Sequence, residues 1–175
     1  SDKASMFLGL YEKEVQDSLK SVPENYKTFI NIGTAEGFYG VGVLINKMFK
    51  KSICYEELKN CREVIHRCAI INNVSDRIII KGIAKPDFYK DINNSDLINS
   101  VVLIDIEGNE FDLLNEDVFY ALNKSIIIVE IHQWYFKDGE EKLTKLKNLA
   151  FRSHEISELT TGSRDLSPIK ELRKF

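Results

Sequence analysis

Asp105 and Glu107, and further on Glu130 and His132, stand two residues apart at the ends of apolar runs. Side chains at i and i+2 of a strand project the same way, so each pair presents two polar heads toward one cleft. An imidazole titrates near neutrality, which makes His132 the leading candidate general base, with Asp105 or Glu107 to orient it or an acceptor hydroxyl. The same four side chains also resemble an oxygen/nitrogen divalent-metal set. No recognised ligand spacing accompanies them, and no metal is assigned from sequence. Upstream, Gly33 and Gly37 bracket a short turn, and Glu56 follows 23 residues after Gly33. That is near the separation of about 20 at which a second strand delivers a carboxylate to ribose hydroxyls. A glycine-rich turn opening a helix brings backbone amides against a small ligand, so this second group points to a nucleoside.

The elements that must hold these residues alternate. An amphipathic helix is expected over 5–20, followed by strands over 28–32, 52–55, 77–81, 101–106, 125–131 and 154–159. Helices are expected over 38–49, 57–72, 111–114, 117–123 and 140–150, with a polar crossover over 87–99. Strands three to five are near-continuous Ile/Val runs, the pattern of strands covered on both faces. The fold class is therefore α/β: a Rossmann-like, doubly wound, mostly parallel sheet with helices on both faces. Ligands in such sheets gather beyond the strand carboxyl ends, where residues 33–37, Glu56, 82–84, 105–108 and 130–132 fall.

The turn Gly33-Thr34-Ala35-Glu36-Gly37 lacks the GxGxxG spacing of a dinucleotide fingerprint, and no GK[ST] phosphate loop occurs. Glu36 sits where a pyrophosphate would settle, and like charges oppose one another. A zwitterionic amino-acid tail suits the place better, and S-adenosylmethionine (SAM) carries such a tail with a ribose and a sulfonium. Glu36 also serves the helix dipole as a first-turn acid, a compatible reading.

Residues 31–39, NIGTAEGFY, look like the first motif of class I SAM-dependent methyltransferases, particularly the FkbM-like family with its D-x-G-A-x-x-G-Y-Y. ICYE at 53–56 resembles that family's ribose-binding acid, LIDIEGNE at 103–110 its D-x-E-G-x-E signature, and IVEIH at 128–132 its E-x-H strand ending. The four stand in the family's order over most of the chain. The resemblance implies SAM held by Asn31, Gly33, Thr34, Ala35, Glu36, Gly37, Glu56, Gly82, Ala84 and Asp105. It implies catalysis by His132, Asp105, Glu107 and Glu130, and transfer to oxygen of a small-molecule or sugar hydroxyl. Asn31 replaces the acid that usually precedes the first glycine, and Gly82 and Ala84 offer only backbone and apolar contact to an adenine. The family fold ends in a seventh strand. The tail after Gly162 offers no convincing one, so a reduced or truncated form lacking it is expected.

The 175 residues suit one domain: an N-terminal helical segment over 1–24 packing on the core, the core over 25–160, and a tail over 161–175. Composition is that of a globular protein (43% hydrophobic, 29% charged), and a net charge of −3 without a dense basic block indicates no nucleic-acid partner. No run approaches a membrane span and no signal peptide is visible, so a cytoplasmic location is expected. Cys54, Cys61 and Cys68 lack zinc spacing and read as small buried residues in a reducing compartment. His66 is expected to be partly buried in its helix, and His154 to be structural. Trp134 and Tyr135 either wall an acceptor pocket or cover the sheet end. With no large insertion to form a lid, the pocket is expected to be shallow or completed by a partner, a homodimer being one arrangement. Two other functions compete: a non-catalytic SAM- or nucleotide-binding module acting as a sensor or partner subunit, and an NAD(P) oxidoreductase, which the glycine spacing opposes.

Overall fold

The computed structural model describes residues 5, 6 and 9–159. Helix α1 (Lys13–Lys20) belongs to one compact unit, and residues 23–156 form a second. The helix expected over 5–20 is interrupted, because Gly9 (φ 69°) and Glu12 (φ 42°) turn left-handed before Lys13. The expected tail lies outside the described residues.

The larger unit runs β1 (Thr28–Ile32), α2 (Phe38–Ile45), β2 (Lys51–Tyr55), α3 (Lys59–Ile71), β3 (Ile78–Lys81), α4 (Asn94–Leu97), β4 (Ser100–Ile104), α5 (Glu110–Leu113), α6 (Glu116–Ala121), β5 (Ile126–Val129) and α7 (Gly139–Ala150). The five strands are parallel in the order β3-β2-β1-β4-β5. Right-handed crossovers lead outward from β1 in both directions, so α2 and α3 cover one face while the 82–99 crossover, α5, α6 and α7 cover the other. Every residue of β1 and β4 is buried. On one face Ile30, Ile32, Ile53, Tyr55, Val102 and Ile104 join Phe88, Leu97, Leu113, Phe119 and Leu146 in the main core. On the other, Phe29 packs on Phe49, ring centroids 5.3 Å apart. Two covered faces explain why these strands are continuous apolar runs.

The edges depart from expectation. β3 and β5 are only partly buried, and Ile79 is 40% exposed, because among the described residues each has a strand neighbour on one side only. Helix α2 ends at Ile45 rather than 49: Lys47 turns left-handed (φ 57°) and the Lys47 and Met48 amides bond back to Leu44 and Val43. The strand expected over 154–159 is not formed. The chain leaves α7 in a turn, and His154 Nε2 lies 3.1 Å from the Leu122 carbonyl while its ring meets Phe119, a structural role as expected. His66 is exposed on α3 instead of partly buried, and of the cysteines only Cys54 is buried; Cys61 and Cys68 are half-buried free thiols. Among the described residues no helix is long and apolar enough to cross a membrane.

Candidate functional site

Strand order reverses between β1 and β4, and at that switch point the crossovers diverge and leave a crevice beyond the strand ends. The loop leaving β1 alternates left-handed residues: Gly33 (φ 81°), Ala35 (φ 48°) and Gly37 (φ 94°). At Gly33 a Cβ would stand 1.7 Å from the Asp105 carbonyl oxygen, so only glycine lets this loop lie against the end of β4. The loop amides were expected to face a ligand. Four of them instead serve the fold: Gly33 and Thr34 donate to the Tyr55 carbonyl (3.0 and 3.2 Å), Gly37 to Thr34 (2.9 Å) and Ala35 to Glu56 Oε2 (2.8 Å).

Glu56 therefore ties the loop to the end of β2. Its Oε1 accepts from the Leu58 amide (2.8 Å), and Arg62 Nη1 donates to its main-chain carbonyl (2.8 Å). Each carboxylate oxygen keeps a second lone pair that a ribose hydroxyl can use. The side chain is buried but not sealed, at 8% exposure for the residue. Asn31 is buried with its Oδ1 unpartnered beneath α2, 3.7 Å from where a Cβ on Gly40 would lie, and it supports the loop through its carbonyl, which Thr34 Oγ1 approaches at 2.9 Å. Glu36 is exposed at the loop tip, Gly82 is exposed, and half-buried Ala84 packs on the main core. The Cys61 thiol is pushed above its usual range, by desolvation first and then by the Glu56 and Glu36 carboxylates. That anionic edge opposes a pyrophosphate and suits a ligand with an ammonium or sulfonium, so the residues present fit SAM better than a dinucleotide.

The second group converges on His132, in the loop after β5. Its side chain is 5% exposed, and Nδ1 lies 3.1 Å from Glu110 Oε1, which also accepts the His132 main-chain amide at 2.7 Å. Glu110 Oε2 accepts the Gly108 amide at 2.8 Å, and the residue is fully buried. Since a carboxylate oxygen only accepts, Nδ1 carries a proton, and Nε2 is the nitrogen turned outward. Around Nε2 stand Glu107 Oε2 (3.6 Å), Asp105 Oδ1 (3.7 Å) and Glu130 Oε1 (3.9 Å). Sequence reasoning left Glu110 out of the site and gave Asp105 or Glu107 the orienting role. The bond to Nδ1 comes from Glu110, the last acid of the EGNE stretch, which opens α5 with its side chain turned inward.

The turn between these acids uses two left-handed residues. Gly108 does turn left-handed (φ 102°), but Glu107 does so as well (φ 54°), and this carries its carboxylate back over the histidine. Tyr135 hydroxyl donates to Glu107 Oε2 (2.9 Å), and its ring stacks on His132 at 5.6 Å and 10°. Donating that bond to the Glu107 carboxylate and lying beside its charge keeps the Tyr135 phenol above its usual range. Trp134 meets the imidazole at 5.1 Å. Both aromatics keep more than half their surface open (63% and 57%), so they roof His132 and also offer an apolar wall.

No protein-family model and no curated protein matches the chain. Solved structures do. The targeted domain of a proposed precorrin-6Y C5,15-methyltransferase from Corynebacterium diphtheriae is 22% identical, with 79% of this chain and 78% of that one covered and a TM-score of 0.52. The O-methyltransferase from Bacillus cereus, in complex with SAH, is 12% identical over 83% of this chain and 78% of its own, with a TM-score of 0.53. A proposed tRNA (m1A22) methyltransferase from Streptococcus pneumoniae, in complex with S-adenosyl-L-methionine, is 13% identical over 67% of this chain and 54% of its own, with a TM-score of 0.52. Identities this low speak to fold alone. The chain has the Rossmann-like fold of class I methyltransferases, here with five parallel strands among the described residues.

Proposed function

We propose that this chain is a SAM-dependent methyltransferase of FkbM-like type that acts on oxygen of a small-molecule or sugar hydroxyl. The observation that carries the reading is the meeting, at one switch point, of the loop tied to Glu56 and the carboxylate-ringed His132. SAM supplies an activated methyl group on a sulfonium, a good leaving group, so alignment and exclusion of water are most of what the protein must contribute. Glu56 offers the ribose its remaining lone pairs, and the anionic edge with Glu36 suits the ammonium of the zwitterionic amino-acid tail. Trp134 and Tyr135 shield the acceptor from water. The hydroxyl proton passes to the His132–carboxylate cluster, in which Glu110 holds the imidazole in one orientation.

The alternative is a non-catalytic module that binds SAM as a sensor. It is favoured by the commitment of four loop amides to the fold and by Asn31 standing in place of an acid. Calorimetry with SAM, SAH and NAD, followed by methyl transfer from labelled SAM to hydroxyl acceptors, separates the readings. Binding of SAM and SAH with transfer is the expected result. Tight NAD binding without response to SAM overturns both readings. SAM binding with no transfer to any acceptor overturns the enzyme in favour of the sensor.

A further inference from the structure

The buried histidine makes a case beyond methyl transfer. Nδ1 donates to Glu110, and Nε2 makes no hydrogen bond among the described residues. Nε2 faces three carboxylate oxygens, at 3.6, 3.7 and 3.9 Å. Three carboxylates drawn together repel one another unless a positive charge, whether a proton on Nε2 or a metal ion, stands among them. Neither Glu107 nor Glu110 has a lysine or arginine within ion-pair distance among the described residues.

We propose that Asp105, Glu107 and His132, with Glu130 beside them, bind one divalent first-row cation. One ligand atom from each of Asp105, Glu107 and His132 can be chosen so that all lie within 4.8 Å of one another. Bonds of about 2.1 Å place neighbouring ligand atoms roughly 3.0–3.4 Å apart in octahedral or tetrahedral geometry, so the carboxylate oxygens 3.6 and 3.7 Å from Nε2 need move inward by less than about 1 Å, and the two carboxylates toward each other by at most about 1.8 Å. Glu107, with its side chain 71% exposed, can swing that far while Tyr135 steadies it. An imidazole whose far nitrogen is bonded to a buried carboxylate is the arrangement that orients a metal-binding histidine. Two or three carboxylates with one imidazole is a mixed hard and borderline set, suited to Mn2+ before Ca2+ or Cu+. With a cation on Nε2, His132 serves as ligand and the proton of an acceptor hydroxyl goes to Glu130. The donors stand without the methyl-transfer reading, because cation binding needs no SAM.

The test is a Mn2+ titration of the full chain freed of metal with chelator, with free Mn2+ followed by its electron paramagnetic resonance signal and SAH binding measured separately. One Mn2+ per chain, saturating at micromolar Mn2+, is expected. Asp105→Asn and Glu107→Gln should each weaken it by about 10–100-fold, while Glu63→Gln on α3 changes nothing. Absence of saturable binding up to millimolar Mn2+, or equal binding by all variants, overturns the proposal. Should a variant fail to fold, proton resonances of the wild type decide. Mn2+ should broaden the His132 ring signals and spare those of His66 and His154; uniform or absent broadening overturns the site. Failure of SAH to bind while Mn2+ binds counts against the methyltransferase reading alone.

Discussion

Replacing Glu110 with glutamine keeps the shape of the most buried acid in the site and removes half of its accepting capacity. The carboxylate accepts from the Gly108 amide at 2.8 Å, the His132 amide at 2.7 Å and His132 Nδ1 at 3.1 Å. A carboxamide has one oxygen, so whichever way it turns its NH2 must meet a backbone donor. At least one charge-assisted bond, worth about 1.5–3 kcal/mol, is lost, and a buried amide is left unsatisfied. Partial relaxation offsets some of this, so a net loss of about 2–4 kcal/mol is expected, or roughly 5–15 °C in melting temperature for a chain of this size. Urea unfolding at neutral pH reads the difference as a lower midpoint with an unchanged slope. Glu107→Gln, on an exposed side chain, is the control and should stay within about 0.5 kcal/mol. A Glu110→Gln midpoint indistinguishable from wild type would show that the carboxylate does not hold the 108–110 turn against His132.

Three further outcomes follow from the loop and the sheet. Glu56→Ala frees the Ala35 and Leu58 amides as well as removing a ribose acceptor, so SAH affinity should fall by about 1–3 kcal/mol in calorimetry; unchanged affinity refutes the role given to the end of β2. Gly33→Ala combines φ 81° with a clash at the Asp105 carbonyl, and should lower stability by more than about 1 kcal/mol in urea; a neutral effect refutes the loop's close approach to β4. Burial pushes the Cys54 thiol from 9.0 to about 11. Between those values the unfolded chain releases the proton and the native chain keeps it, so this group's contribution to stability falls as pH rises, by up to about 1.4 kcal/mol per pH unit. Cys54→Ala should flatten the alkaline loss of urea midpoint, and an identical pH profile refutes the assignment.

Cysteine chemistry gives a simple check on the packing. Alkylation of the native protein followed by mass spectrometry should label Cys61 and Cys68, which are half-buried, and spare Cys54, which is buried. Labelling of Cys54 at the same rate would contradict the close packing of α2 on the sheet, where a Cβ at Gly40 would come within 2.4 Å of its sulfur.

The bounds of β1 and the strand–loop–helix order around Gly33 were legible because they follow from local pattern: apolar runs covered on both faces, and glycines where the backbone turns left-handed. The four strand-end motifs likewise announced a doubly wound sheet. Other features depend on contacts between residues far apart in the chain. Glu110 reaches His132 across 22 positions, and Ala35 reaches Glu56 across 21, and both bonds exist only because the strand order brings β5 beside β4 and β2 beside β1. No local pattern says whether a first-turn glutamate faces water or turns inward to hold a histidine. Nor could the Ile runs of β3 and β5 say that they would be edges, since an apolar strand reads the same beside one neighbour or two. Which groups could do chemistry was written in residue type and spacing; which of them hold one another, and which atom is left facing the crevice, was decided by how the sheet stacks.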